Sequence, residues 1–165
     1  MITIDFLKMN RDKTYQLLPR ITSQNCFGCH PDNPVGLQMD FYEKGNEIFS
    51  WLKVPDNLCG WNQMVHGGII TTILDEVMSR CAMFASDKLS FTKSISVDFL
   101  RPIPTGNEIL TTATVSEKIK KRELKIEGHL WLDGKKCATA TGFFMTYTAK
   151  EIEKLGIGRN AVESK

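Results

Sequence analysis

Asp75 is a carboxylate in a place where a carboxylate is hard to explain. It stands in residues 61–85, WNQMVHGGIITTILDEVMSRCAMFA, where the apolar run after His66-Gly67-Gly68 contains no proline and no further glycine. Such a run is long enough for a buried helix. At about 100° per residue, Ile69, Ile70, Ile73, Leu74, Val77, Met78 and Cys81 share one broad side, and Thr71, Thr72, Asp75 and Ser79 share the other. A face turned to water is normally rich in Lys and Glu. This one is neutral apart from Asp75, so it is expected to meet protein, where an unpaired carboxylate is costly. Either a nearby base or hydrogen bonds neutralise it at that contact, or a proton-accepting or nucleophilic role gives that carboxylate a reason to be there. Glu76 lies about 100° further round and reads as the partner of a base such as Arg80.

Gly67 is the second candidate. The first N–H groups of a helix have no intrahelical acceptor and form a site for developing negative charge. A glycine there lets a carbonyl approach with no Cβ in the way. His66 could act as a base, but beside two glycines it is expected to order the turn by hydrogen bonding.

An HGG triplet opening a helix, with Asp eight residues after its first glycine, resembles the hotdog-fold acyl-CoA thioesterases, in the branch of the phenylacetyl-CoA and 4-hydroxybenzoyl-CoA thioesterases. Cys26-Phe27-Gly28-Cys29 followed by Asn33-Pro34-Val35-Gly36-Leu37 resembles the N-terminal segment of many members, and Thr92, ten residues before Pro102, matches the family pattern. The resemblance covers roughly residues 26–147. It implies hydrolysis of an acyl thioester, with Asp75 activating water or attacking the thioester. Gly67 (with Gly68 beside it) would hold the carbonyl oxygen, and Thr92 would orient the water or the carboxylate. Some relatives carry an Asn six residues before the HGG histidine, where this chain has Gly60; Asn62 and Gln63 are the nearby substitutes. The phosphates of coenzyme A call for a basic patch, and Lys118, Lys120, Lys121 and Arg122 are the best cluster.

Two readings of Cys26-Phe27-Gly28-Cys29-His30 are set aside. The letters match c-type haem attachment, which needs an export route, and MITIDFLKMNRDK is not a signal peptide. A zinc site would need a second pair of ligands, and Cys59, Cys81 and Cys137 stand alone in sequence. Both cysteines are expected to be packing residues, with no metal and no cofactor beyond the coenzyme A of the substrate. Five cysteines without an export signal read as reduced thiols in a cytoplasmic protein. A net charge of +2 argues against a dedicated nucleic-acid partner, and no apolar stretch reaches membrane-spanning length.

The elements that must position these residues follow from pattern. A length of 165 residues with 42% hydrophobic content suits one domain, with its core over 26–147. A short amphipathic helix is expected over 4–22, and strands over 36–42 and 47–54. Ile95, Val97 and Phe99 alternate with Ser94, Ser96 and Asp98 in a half-buried strand. Further strands follow over 109–117, 124–132 and 136–147, the last two joined by the hairpin signal Asp133-Gly134. Four strands joined by turns favour a meander, and the charged tail 149–165 is expected to be at best partly ordered. The class is α+β, a curled antiparallel sheet wrapped around one long helix, which the resemblance names as the hotdog fold.

Gly67 and Asp75 lie about 12 Å apart along a helix, too far for one copy to serve one thioester. A homodimer is therefore expected, with relatives often pairing dimers into tetramers. The competing classes are a hotdog dehydratase, a non-catalytic acyl-CoA or ligand-binding protein, and a dimerisation module.

Overall fold

The computed structural model describes residues 14–156. The long helix α1 spans Gly67–Ser86 and buries Ile70, Ile73, Leu74, Val77, Met78, Cys81 and Ala82. Residues 69–73 are all β-branched, which lowers helix propensity by up to ~0.7 kcal/mol each. Complete burial of Ile73, Leu74, Val77 and Met78 contributes about 1.5–3 kcal/mol per side chain. Packing therefore decides the conformation. The helix ends at Asp87, whose left-handed backbone (φ 53°) lets its N–H reach the carbonyl of Met83.

A seven-stranded antiparallel sheet curls around this helix, the hotdog architecture. Its strands are β1 (Gln16–Leu17), β2 (Tyr42–Lys44), β3 (Glu47–Lys53), β4 (Leu89–Phe99), β5 (Glu108–Lys120), β6 (Glu123–Leu132) and β7 (Lys135–Tyr147), in the spatial order β1-β2-β3-β5-β6-β7-β4. The concave face packs Ile48, Ile109, Ala113, Ile126, Leu130, Ala138 and Phe144 against the helix. Helix and sheet approach most closely where two strand glycines meet Met78: a Cβ at Gly128 would lie 2.7 Å from its Sδ, and one at Gly142 2.9 Å from its Cε. On the outer face Tyr15 sets its ring edge-on to both Phe49 and Trp51, at 5.1 Å each.

The hairpin at Asp133-Gly134 forms with both residues at positive φ (48° and 72°), the geometry that suits a tight turn between twisted strands. Three expectations need correcting. The strand expected over 36–42 is only Tyr42–Lys44. Gln38 is left-handed (φ 51°), and the N–H groups of Leu37 and Met39 are tied back to the carbonyls of Phe27 and Gly28. The meander is confined to β5-β6-β7. β4 pairs with β7, and β5 takes β3 as its other neighbour. Residues 100–107 make a crossing rather than a tight turn, anchored by buried Ile103, whose carbonyl accepts from Val65 N–H at 2.8 Å. Of the helix expected over 4–22, residues 4–13 lie outside the described ones, and 14–22 contain strand β1 instead.

The tail also holds structure. Helix α2 (Ala149–Lys154) is opened by a capping box between Thr148 and Glu151. Among the described residues, no helix is long and apolar enough to cross a membrane, and all five cysteines are free thiols.

Candidate active site

The start of α1 is shaped by His66. Its backbone is extended, and its Nδ1 accepts from Gly68 N–H at 2.9 Å. Its carbonyl accepts from the N–H groups of Ile69 (2.9 Å) and Ile70 (3.1 Å). With Nδ1 used as an acceptor, the ring holds the turn. Among the described residues, nothing accepts from Gly67 N–H. The helix therefore presents one free donor where its dipole favours negative charge. A Cβ on Gly67 would sit 3.6 Å from the Phe99 ring, so that ring flanks the approach to the donor.

Further along the same helix, the half-buried Asp75 accepts a hydrogen bond at Oδ1 from Thr92 Oγ1 at 2.7 Å. This contact depends on an irregularity in β4. Thr92 is opposite Phe144 and Ser94 opposite Phe143, so Lys93 is an extra residue in the ladder. Such a bulge shifts which side chains face inward. Before it, Thr92 and Ser90 face α1, with Ser90 Oγ 2.9 Å from Ser79 Oγ. After it, Ile95, Val97 and Phe99 do. Lys93 reaches across β7 to Glu123 on β6 at 2.7 Å.

Burial pushes the Asp75 carboxyl above its ordinary value, and the Thr92 hydrogen bond pulls it partly back. The carboxylate so held is a stronger base than an exposed one, yet its other oxygen accepts no hydrogen bond among the described residues. Asp75 and Thr92 thus form a hydrogen-bonded pair. Gly67 lies eight positions earlier on the helix, about 12 Å away at 1.5 Å per residue.

The remaining candidates are dispersed. Asn62 and Gln63 form the central positions of a tight turn (φ 50° and 59°), closed by Met64 N–H on the carbonyl of Trp61 at 3.1 Å. Gly60, at the position where some relatives have Asn, lies against His66: a Cβ there would be 3.3 Å from His66 Cα. The basic cluster sits at the far end of the sheet from Gly67. Lys118 and Lys120 pair with Leu124 and Glu123, whose β7 partners, Phe144 and Met145, face Thr92 and Phe91. Arg122 in that turn binds Glu151 of α2 at 3.2 Å. Within one chain the cluster is therefore on the Thr92 side of the helix.

Glu76 is a correction. It does not form an ion pair with Arg80. Its Oε1 lies 3.4 Å from Cys26 Sγ, and Arg80 donates instead to the carbonyl of Pro19. Two elements far apart in sequence make this contact, and no periodicity could have announced it. Beside it runs a cavity of about 320 Å³ lined by Glu76, Ser79, Arg80, Ser90 and Phe91.

Comparison with known proteins places the chain in a family. The model of the Thioesterase superfamily matches residues 62–138. An uncharacterized protein of Schizosaccharomyces pombe is 30% identical over 121 residues, 68% of each chain. An uncharacterized mitochondrial protein of Candida albicans is 34% identical over 89 residues, which span 53% of this chain and only 40% of that protein. Among solved structures, a thioesterase superfamily protein superposes with a TM-score of 0.67 at 20% identity, over 73% of this chain and 60% of that one. An acyl-CoA hydrolase from Staphylococcus aureus, in complex with butyryl coenzyme A and coenzyme A, gives a TM-score of 0.58 at 21% identity, over 64% of this chain and 65% of that one. At these identities the structural likeness is one of fold.

Proposed function

The protein belongs to the thioesterase superfamily, and from that premise we propose that it hydrolyses an acyl-CoA thioester to the free acid and coenzyme A. The observation that carries the reading is the half-buried Asp75 carboxylate, fixed at 2.7 Å by Thr92 with its second oxygen open. The same helix has an unclaimed N–H at Gly67.

The chemistry follows from charge. Attack on a thioester carbonyl places negative charge on its oxygen, and a fixed donor in a partly dry site is the strongest single means of stabilising it. Gly67 N–H is that donor. Asp75 takes a proton from water as it adds to the carbonyl carbon, or adds there itself to give a mixed anhydride that water then cleaves. In both routes the C–S bond breaks and the departing thiolate takes up a proton. Thr92 keeps the carboxylate aimed. Lys118, Lys120 and Lys121 lie at the Thr92 end of the sheet, where they would meet the phosphates of coenzyme A.

A dimer completes the site. An Asp side chain cannot cover the roughly 12 Å to Gly67, so donor and carboxylate come from two copies of α1. β4 is the long edge strand of the sheet, with the two-residue β1 at the other edge, and it exposes Leu89 (38%), Phe91 (40%) and Phe99 (55%). A long edge with apolar side chains is a surface that invites pairing, and a two-fold partner across it generates two sites at once. A panel of acyl-CoA substrates followed with a thiol reagent tests the activity; no turnover of any of them would leave a ligand-binding protein. Mixing inactive Gly67→Trp chains with inactive Asp75→Asn chains tests the sharing. Verified subunit exchange should restore part of the activity, and no recovery would count against a shared site.

A further inference from the structure

Glu76 faces the N-terminal loop, one position round α1 from Asp75. A carboxylate oxygen of Glu76 and the Sγ atoms of Cys26 and Cys29 all lie within 4.8 Å of one another, each residue half-buried. The loop is fixed before it meets the helix. His30 N–H binds the carbonyl of Cys26 at 3.2 Å, Met39 N–H that of Gly28 at 3.0 Å, and the buried Asn33 amide donates to the carbonyl of Cys26 at 3.4 Å. Between the two cysteines, Gly28 passes so close to the helix that a Cβ would fall 2.2 Å from the Glu76 carboxyl carbon. A side chain at that position would keep the loop off the carboxylate. As a set of packing residues this arrangement is poor.

We propose that Cys26, Cys29 and Glu76 bind one divalent transition-metal ion, zinc above all, pinning the N-terminal loop to the helix that carries Asp75. The ligand types are those zinc selects, two thiolates and a carboxylate, with the sulfurs at C-x-x-C spacing. Zinc–sulfur and zinc–oxygen bonds of ~2.3 and ~2.1 Å set a tetrahedral S···O edge of about 3.6 Å. The Cys26–Glu76 distance is 3.4 Å. Electrostatics agree as well. A dication on two thiolates and a carboxylate leaves one net negative charge, and the Arg80 guanidinium side chain lines the same cavity. The three ligands also line the cavity beside Ser79 and Ser90, so the fourth position opens into it, a geometry of three protein ligands plus one exchangeable site. The second pair of ligands that sequence spacing demanded is not needed, because the helix supplies the third ligand. Binding displaces the two thiol protons, and the carboxyl proton where one is present.

The test uses the full chain, purified with its thiols reduced, stripped with a chelator and titrated with zinc against a chromophoric competitor, then with cobalt. The expected result is one equivalent per chain, release of protons, a higher Tm, and the sulfur-to-cobalt charge-transfer and intense visible bands of a tetrahedral thiolate site. Cys26→Ser and Cys29→Ser should each weaken binding by more than the ~10–100-fold that loss of a supporting residue causes. Glu76→Gln should weaken it less and keep the sulfur band. Absence of stoichiometric zinc or cobalt binding while all five thiols titrate as reduced would overturn the proposal. So would binding unchanged in Cys26→Ser. Should that variant fail to fold, a cobalt spectrum of the unaltered protein without a sulfur band overturns it equally.

Discussion

Asp75 and Glu76 are neighbours on one helix, both half-buried and both shifted upward by burial, yet their surroundings are opposite in kind. Asp75 meets a strand hydroxyl that binds one oxygen. Glu76 meets a loop that brings two thiols to one spot. Similar burial of two similar acids therefore gives two different chemistries, and the partner is what separates them. A single hydroxyl donor steadies a carboxylate and leaves it able to accept a proton. Two thiols beside a carboxylate form a set of metal ligands.

The contrast is broken most severely by neutralising each acid in turn. Asp75→Asn should lower kcat by about 10²–10⁴, the contribution of a positioned base, with the fold intact by circular dichroism. Glu76→Gln should retain most turnover in the same acyl-CoA assay. Equal losses in the two variants would erase the distinction.

Glycines sharpen it next. Gly67→Ala places a Cβ at an ordinary contact distance of 3.6 Å from Phe99, so the protein should fold with unchanged Tm. A carbonyl pushed off the donor by about 1 Å should cost roughly 10²-fold in kcat/KM. Gly28→Ala should do the reverse. Its Cβ meets the Glu76 carboxyl at 2.2 Å, the far end of a flexible side chain that must swing aside, so turnover should hold while zinc affinity falls, read from the chromophoric competition.

A smaller effect separates positioning from chemistry. Thr92→Ala removes a hydrogen bond to a charged group, worth about 1.5 kcal/mol, so kcat should fall roughly tenfold. Because that bond holds the Asp75 carboxyl down, the acid limb of the kcat/KM profile should move to higher pH. A loss of rate with an unmoved limb would mean that Thr92 does not act through Asp75.

The mildest test is stability. The folded-state value of Asp75 is raised, so its contribution is full below the unfolded value and is lost as pH rises through the folded one. At neutral pH the ionised, desolvated carboxylate opposes folding. Asp75→Asn should therefore melt higher than the unaltered protein at neutrality, with the two curves converging in acid. Such an inverse relation between stability and turnover is common at active sites.

The helix, its buried side and the hairpin at Asp133-Gly134 were legible in the sequence because each rests on local spacing. A 3.6-residue apolar period selects the buried face of α1 whatever packs on it, and an Asp-Gly pair makes its turn from its own φ preferences. The candidate site was legible only as a list of residue types. Simple alternation through Ile95, Val97 and Phe99 puts Thr92 on the opposite face of β4, away from the helix. The extra residue at Lys93 returns it to Asp75, and a bulge arises from pairing with β7, which sequence does not display. Glu76 looked like the partner of Arg80, one turn away on its own helix. It instead meets Cys26, fifty residues earlier, because the loop of Gly28 closes on it in space. Sequence by itself determined which residues could be buried and which could do chemistry. Tertiary structure decided which of them meet, because contacts between distant segments depend on strand order, bulges and loop closure, and none of these has a local period to read.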